Sequence, residues 1–157
     1  MYVKWLNGEK VNSESDERRL KMSNFKWQIN PAYNEEVLSL YQSVGWMNYT
    51  HSPKMLEKAW QGSLFKCCVY DQDQLIGLIR VVGDGASIIY IQDLLVHPDW
   101  QRQKIGTALI LKVLQKYQDV YQIVLLTDDI DKNLSFYRHL GFVKASEFKC
   151  TAMLYQR

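Results

Sequence analysis

The feature that most constrains this chain is a three-part stretch: an apolar run from Ser87 to Val96, the polar turn His97-Pro98-Asp99-Trp100, and a long segment from about Arg102 to Gln118. The first part is rich in Ile, Leu, Val and Tyr and predicts a strand. The last has one polar stripe, Lys104, Lys112, Gln115, Lys116 and Asp119, and is mostly apolar elsewhere. A helix with so broad an apolar face has to lie against a sheet. Gln122 to Leu126 then predicts a short buried strand. A strand–helix–strand succession favours parallel pairing, since only a long crossover can return the chain in the same direction.

The remaining elements are read from periodicity and punctuation. Phe25 to Ile29 alternates as a half-buried strand does, and Asn30-Pro31 ends it. Asn34 caps a helix to about Ser43, with Val37, Leu38, Leu40 and Tyr41 facing inward, and Gly45 breaks it. Ser52-Pro53 opens a second helix through Trp60, with proline at its first position. Leu64 to Tyr70, Gln74 to Val82 and Ser87 to Val96 are three strands joined by the short breaks Asp71-Gln72-Asp73 and Gly83-Asp84-Gly85, hence antiparallel. Asp131 to Leu140 is a helix stopped by Gly141. Phe142 to Ala145 and Lys149 to Tyr155 read as closing strands. The polar, charged residues from Asn7 to Lys21 set residues 1–22 apart as a charged extension, mobile or loosely attached, ahead of a domain over residues 23–157.

Composition narrows the function classes. A chain of 157 residues that is 47% apolar suits one domain with a full core. Its formal charge of +2, with acids and bases interspersed, argues against nucleic-acid binding through one basic surface. No run approaches a membrane span, and the N-terminus lacks a long apolar stretch. A soluble cytoplasmic protein is the expectation. The three cysteines are odd in number and fit neither a disulfide framework nor a metal site, so no metal is expected. Cys67 and Cys68 lie in an apolar run and read as buried thiols.

The chemistry lies where the helix starts, at Gln101-Arg102-Gln103-Lys104-Ile105-Gly106-Thr107-Ala108. First-turn N–H groups have no partner within a helix and face outward at the positive end of its dipole. They suit phosphate oxygens, with Arg102 and Lys104 adding charge and Gly106 allowing close approach. A pyrophosphate is the ligand class this implies. The phosphate-binding pattern G-x-x-x-x-G-K-[ST] does not occur, and Gly83-Asp84-Gly85 is followed by a strand rather than a helix, so it is no dinucleotide fingerprint.

Asp93-Leu94-Leu95-Val96-His97-Pro98 followed by Gln101-x-x-Lys104-x-Gly106-Thr107-Ala108-Leu109 resembles the acetyl-CoA motif of the GNAT superfamily, [RQ]-x-x-G-x-[GA] after a strand ending in Val. Asn133-Leu134-Ser135-Phe136-Tyr137-Arg138-His139-Leu140-Gly141-Phe142 resembles the family's second motif in its spacing and its terminal Tyr…Gly-Phe. The resemblance spans residues 24–157. It implies an α/β (α+β) acyl-CoA N-acyltransferase fold: a mixed, mostly antiparallel sheet of about seven strands, flanked by about four helices, with a splayed central parallel pair. The wording Val44-Gly45-Trp46, Tyr49-Thr50, Arg80 to Gly85 and Tyr90-Ile91-Gln92-Asp93 is similar to a bacterial subgroup distantly related to arylalkylamine and serotonin acetyltransferases.

The resemblance implies acetyl-CoA as acyl donor and a primary amine, a small molecule, as acceptor. Leu94, Leu95 and Val96 would line the pantetheine arm. Amides from Arg102 to Thr107, through Gln103, Lys104, Ile105 and Gly106 after Gln101, would hold the pyrophosphate. Asn133 and Ser135 would contact the arm or place the helix that follows, and Tyr137 would protonate the departing thiolate. Asp93 is the expected base, or else a structural partner of a nearby basic or amide group. Trp46, Tyr49, Tyr90 and Gln92 would line the acceptor pocket. On one regular strand, Tyr90 and Gln92 have opposite parity to Asp93 unless a bulge intervenes. His97 reads as a turn histidine and His139 as a surface one. Lys104 stands where the family has glycine; its amide can still face phosphate unless the backbone there needs positive φ. The alternative reading is a catalytically weak acyl-CoA-binding or sensing module. Strand edges near the C-terminus suggest a homodimer contact.

Overall fold

Among the described residues, five strands make one sheet in the order β1 to β5: β1 (Lys26–Ile29), β2 (Phe65–Asp71), β3 (Gln74–Gly83), β4 (Ile88–Val96) and β5 (Gln122–Leu125). The first three pairings are antiparallel, and β4 with β5 is parallel, as the strand–helix–strand order predicts. The structure is a computed structural model that describes residues 25–156; the expected charged extension lies outside the described residues. These fall into two compact units, divided between Leu126 and Thr127.

In the first unit, α1 (Glu35–Ser43) starts at Asn34, whose side chain accepts from the Val37 N–H, and Gly45 follows it with φ +75°. A short helix not expected from the sequence, α2 (Met47–Thr50), leads to α3 (Pro53–Gln61), which has its proline in the first turn. Val37, Leu40 and Tyr41 of α1 and Leu56 and Trp60 of α3 pack on Cys68, Leu78 and Leu95 of the sheet. Both cysteines of β2 are buried free thiols, and burial pushes the Cys67 thiol up to about 11.

The long helix α4 (Ile105–Lys116) covers the opposite face. Its buried side chains, Ile105, Ala108, Leu109, Ile110 and Val113, repeat at helical spacing. Gly77 of β3 decides how closely it approaches. A Cβ there would lie 2.9 Å from Ile105 Cγ2 and 3.0 Å from Val69 Cγ1. Gly77 and Leu78 are neighbours on one strand and so face opposite sides, which places α4 across the sheet from α1 and α3.

The second unit holds α5 (Asp131–His139), which ends at Leu140 before Gly141 with φ +90°. The two closing strands expected from the sequence do not form. Ala145 to Phe148 make a single 3-10 turn, closed by the Lys144 N–H on Glu147 Oε1, and Lys149 turns the chain with φ +58°. A short apolar run becomes a strand only when a ladder partner takes its backbone groups. Among the described residues Cys150 to Tyr155 have no ladder partner, and Met153, Leu154 and Tyr155 are exposed. The strand edges proposed there for a dimer contact are therefore missing. No helix among the described residues is long and apolar enough to cross a membrane.

Replacing Gly77 by Ala should cost about 1–3 kcal/mol of stability through overpacking against Ile105. Gly62, where a Cβ meets nothing closer than 3.5 Å, is the control. Urea denaturation of Gly77→Ala and Gly62→Ala should show a lowered midpoint only for the first.

Candidate active site

The site begins with a break in register on β4. Arg80 pairs with Asp93, but Val81 pairs with Ile91, so Gln92 is an extra residue, a bulge. Arg80 and Val81 face opposite sides of the sheet, and their cross-strand partners go with them. Ile91 therefore faces α4, while Asp93 faces α1 and α3. Tyr90, opposite Val82, shares the face of Asp93. The opposite parity of Tyr90 and Asp93 expected for a regular strand is thus cancelled by the bulge. The ladder to β5 runs only from Ile88–Gln122 to Ile91–Leu125, whereas β4 continues to Val96. The parallel pair thus parts at the bulge. Beyond it Leu95 is buried, and Leu94 and Val96 are half-buried.

Under this bulge lies a buried polar cluster. Arg80 Nε donates to Asp93 Oδ2 at 2.5 Å; the two residues are 4% and 1% exposed. Tyr41 Oη donates to the same oxygen at 2.6 Å, and Tyr49 Oη to Asp93 Oδ1 at 3.1 Å. Gln92 Nε2 donates to Tyr49 Oη at 3.2 Å. Burial first, then the charge of Asp93, pushes both tyrosine hydroxyls above their ordinary range, so they stay protonated donors. Arg80 also reaches Ser63 Oγ at 3.2 Å, while Lys66 Nζ donates to the carbonyls of Trp60 and Ser63. Two cations thus meet the carbonyl end of α3, the negative end of its dipole. Burial, then Arg80, lowers the Lys66 ammonium from its ordinary range.

Of the acceptor-site residues expected, the structure joins Tyr49 directly to Asp93 and Gln92 to it through the Tyr49 hydroxyl. Trp46 stacks on Tyr49 with ring centroids 5.9 Å apart and planes at 22°, and it is 37% exposed. Arg80, Tyr41, Ser63 and Lys66 were not among the expected site residues. The signal available was a lone arginine inside the apolar run of β3 and a lone aspartate inside that of β4.

The phosphate-binding expectation needs one correction. The helix starts at Ile105, not Arg102, because Arg102 and Lys104 have φ of +63° and +62°. Neither conformation can continue a right-handed helix. The backbone at Lys104 is left-handed, the conformation that favours the glycine which the resembled motif carries at this position. Gln101 to Lys104 form an exposed turn, and the first helical bond runs from the Ala108 N–H to the Lys104 carbonyl at 3.0 Å. Successive amides in such a turn make a concave nest for anions, continuous here with the helix start at Ile105, Gly106 and Thr107. Gln101 Nε2 donates to the Val96 carbonyl at 3.3 Å and ties the turn to the strand end. The chemistry of this donor set fits a phosphorylated ligand. His97 caps the intervening turn, its Nδ1 accepting from the Asp99 N–H at 3.3 Å.

In the second unit, Asn133 Nδ2 donates to Thr127 Oγ1 at 3.1 Å, and Ser135 is exposed. Tyr137 lies edge-on between Phe136 and Phe142, with centroids at 5.0 and 5.8 Å, and burial pushes its hydroxyl up from the ordinary range. The Phe142 N–H donates back to the Tyr137 carbonyl at 3.1 Å. The Tyr…Gly-Phe spacing is therefore a helix stop that closes an aromatic clasp around Tyr137.

The family model described as an acetyltransferase (GNAT) domain matches residues 29–153. The chain is 28% identical over 154 residues to the uncharacterized N-acetyltransferase ycf52 of Gracilaria tenuistipitata var. liui, covering 88% of this chain and 82% of that protein. Among solved structures it is similar to the GNAT family acetyltransferase SP0256 of Streptococcus pneumoniae TIGR4, with 40% identity and a TM-score of 0.76 over 85% of this chain and 98% of the other. The PaiA N-acetyltransferase of Thermoplasma acidophilum, solved with coenzyme A, shares the fold at 15% identity and a TM-score of 0.57, covering 72% and 87% of the two chains.

Two stability measurements test the cluster and the turn. Arg80→Met alone should cost about 3–5 kcal/mol, because it leaves Asp93 buried without its cation. Tyr41→Phe/Arg80→Met/Asp93→Leu removes the set together and should unfold at a urea midpoint near wild type. Lys104→Gly should raise stability by about 0.5–1 kcal/mol, since relief of the left-handed strain exceeds the backbone entropy that glycine adds.

Proposed function

The chain belongs to the GNAT acetyltransferase family, and on that premise we propose that it transfers an acetyl group from acetyl-CoA to a primary amine of a small molecule. The observation that carries this reading is the coincidence of three features on one strand–turn–helix. They are a parallel pair that parts at Ile91, a strand end from Gln92 to Val96 that is laddered to β3 but not to β5, and an amide nest running into the start of α4. Acetyl-CoA, when bound, supplies an acetyl carbonyl activated as a thioester. The nest from Arg102 to Thr107 would hold its pyrophosphate, and the backbone of Leu94, Leu95 and Val96 its pantetheine arm.

The amine must react in its neutral form. With a pKa of about 10.4, only about 1 in 10³ of an alkylamine is neutral at pH 7.4, a penalty of roughly 4 kcal/mol. A base, or a water chain leading to one, that takes the proton released by the attacking nitrogen lowers this penalty, and solvent returns a proton to the acid that protonates sulfur. A backbone N–H of Leu95 or Val96 would polarise the acetyl oxygen. Tyr137 is assigned as proton donor to the departing sulfur on the family motif. Its raised pKa keeps the Oη proton in place at neutral pH. A thiol is already a fair leaving group, so this acid assists the reaction without being indispensable to it. Asn133 and Ser135 would serve the arm. Trp46, Tyr49, Tyr90 and Gln92 would face the acceptor, where aromatic faces suit an incoming ammonium.

The test is thiol release from acetyl-CoA across a panel of 2-phenylethylamine, spermidine and a lysine-containing peptide, with acetyl-CoA binding titrated in parallel. Release with a small amine is expected. Tight binding with no amine-dependent release would favour the acyl-CoA-sensing alternative. Tyr137→Phe should lower kcat about 10- to 100-fold and leave the KM for acetyl-CoA unchanged. Unaltered turnover, with chemistry rate-limiting, would remove Tyr137 as the acid.

A further inference from the structure

We infer that the Tyr49 hydroxyl receives an N–H of the acceptor amine, and that Asp93 and Arg80 are positioning residues that hold Tyr49 for this task. The inference rests on the acetyl-transfer reading above and assigns the acceptor half of that site. Asp93 is 1% exposed, and both its oxygens are engaged, by Arg80 and Tyr41 on Oδ2 and by Tyr49 on Oδ1. A substrate has no oxygen of Asp93 to touch. The carboxylate reaches outward only through Tyr49.

The Tyr49 hydroxyl spends its hydrogen on Asp93 Oδ1, so toward any visitor its oxygen is an acceptor. Gln92 Nε2 engages one lone pair at 3.2 Å. The outer nitrogen of Arg80 stands at 3.5 Å, beyond a full-strength bond, and leaves the other weakly engaged. The ring is held between Tyr41, 5.0 Å away, and Trp46, 5.9 Å away, so the oxygen is fixed in position. Gln92 is the bulge residue, placed where β4 parts from β5. An amine that donates one N–H to this oxygen keeps its nitrogen lone pair free for attack, with the exposed indole of Trp46 beside its apolar body. Cation and carboxylate are matched one to one, so orientation comes from the hydroxyl and not from a free negative charge.

Steady-state kinetics use the most active amine of the panel, and isothermal titration measures binding of the same amine in the presence of coenzyme A. Tyr49→Phe should lower kcat/KM for the amine about 10- to 100-fold and weaken amine binding, with the KM for acetyl-CoA and the urea midpoint near wild type. Tyr41→Phe/Arg80→Met/Asp93→Leu should lower amine kcat/KM to a similar extent, and adding Tyr49→Phe to it should lower it little further. Where the triple variant does not fold, Arg80→Lys, which keeps the cation but loses the Nε donor, takes its place in the comparison. Wild-type activity of Tyr49→Phe, or multiplicative losses when the variants are combined, would overturn the inference while leaving acetyl transfer standing. No thiol release by the wild type with any amine would remove both.

Discussion

The buried ion pair between Arg80 and Asp93 is the interaction on which the first unit depends. It crosses the β3–β4 hairpin, and through it the sheet is tied to α1 by Tyr41, to α2 by Tyr49 and to the end of α3 by Ser63. Burying two charges is costly unless each is matched and its remaining hydrogen-bonding positions are filled. Here they are filled from three helices. The pair therefore specifies where those helices sit more than it adds net stability. A helix layer held by apolar contacts alone could slide, whereas one whose hydroxyls must meet two carboxylate oxygens has one arrangement.

Close approach on the other face comes from an absence. Gly77 lets the first residue of α4 lie on the sheet, and the turn before it takes up two left-handed residues, Arg102 and Lys104. Such strain, of order 1–3 kcal/mol per residue, persists only where surrounding structure imposes it. The packing of Ile105 under Gly77 and the tie from Gln101 to the end of β4 are the local restraints. The nest and the strand end are thus set together by one packing contact and one hydrogen bond.

Much of this was legible in the sequence, for local reasons. Asn34, Gly45, Pro53 and Gly141 punctuate helices by their own backbone preferences, and the β4–α4–β5 order carries its own handedness and direction. What was not legible depends on pairing. Ile89, Ile91, Asp93 and Leu95 are all buried at alternate positions, so the pattern runs unbroken through a bulge that moves the buried residues from one face to the other. The φ angles at Arg102 and Lys104 are imposed from outside, and neither residue type announces them. The two closing strands failed because alternation shows what a strand could bury and says nothing of whether an edge is there to receive it. The roles of Asn133 and Tyr137 rest on motif spacing; the structure adds the physical reason for that spacing, a capped helix end closing on an aromatic ring.

The bulge at Gln92 has a consequence for how this strand can change over evolutionary time. One continuous strand is split into two segments read by different neighbours: Ile89 and Ile91 by α4, Asp93 and Leu95 by the helices across the sheet. The first segment can exchange one aliphatic residue for another without altering what the second presents, and the second can change its polar groups without loosening the parallel pair. A single supernumerary residue thus uncouples the part of the strand that keeps the sheet together from the part we assign to ligands. Diversification of acceptor preference in such a chain can proceed by substitution alone, with no change in strand length or connection.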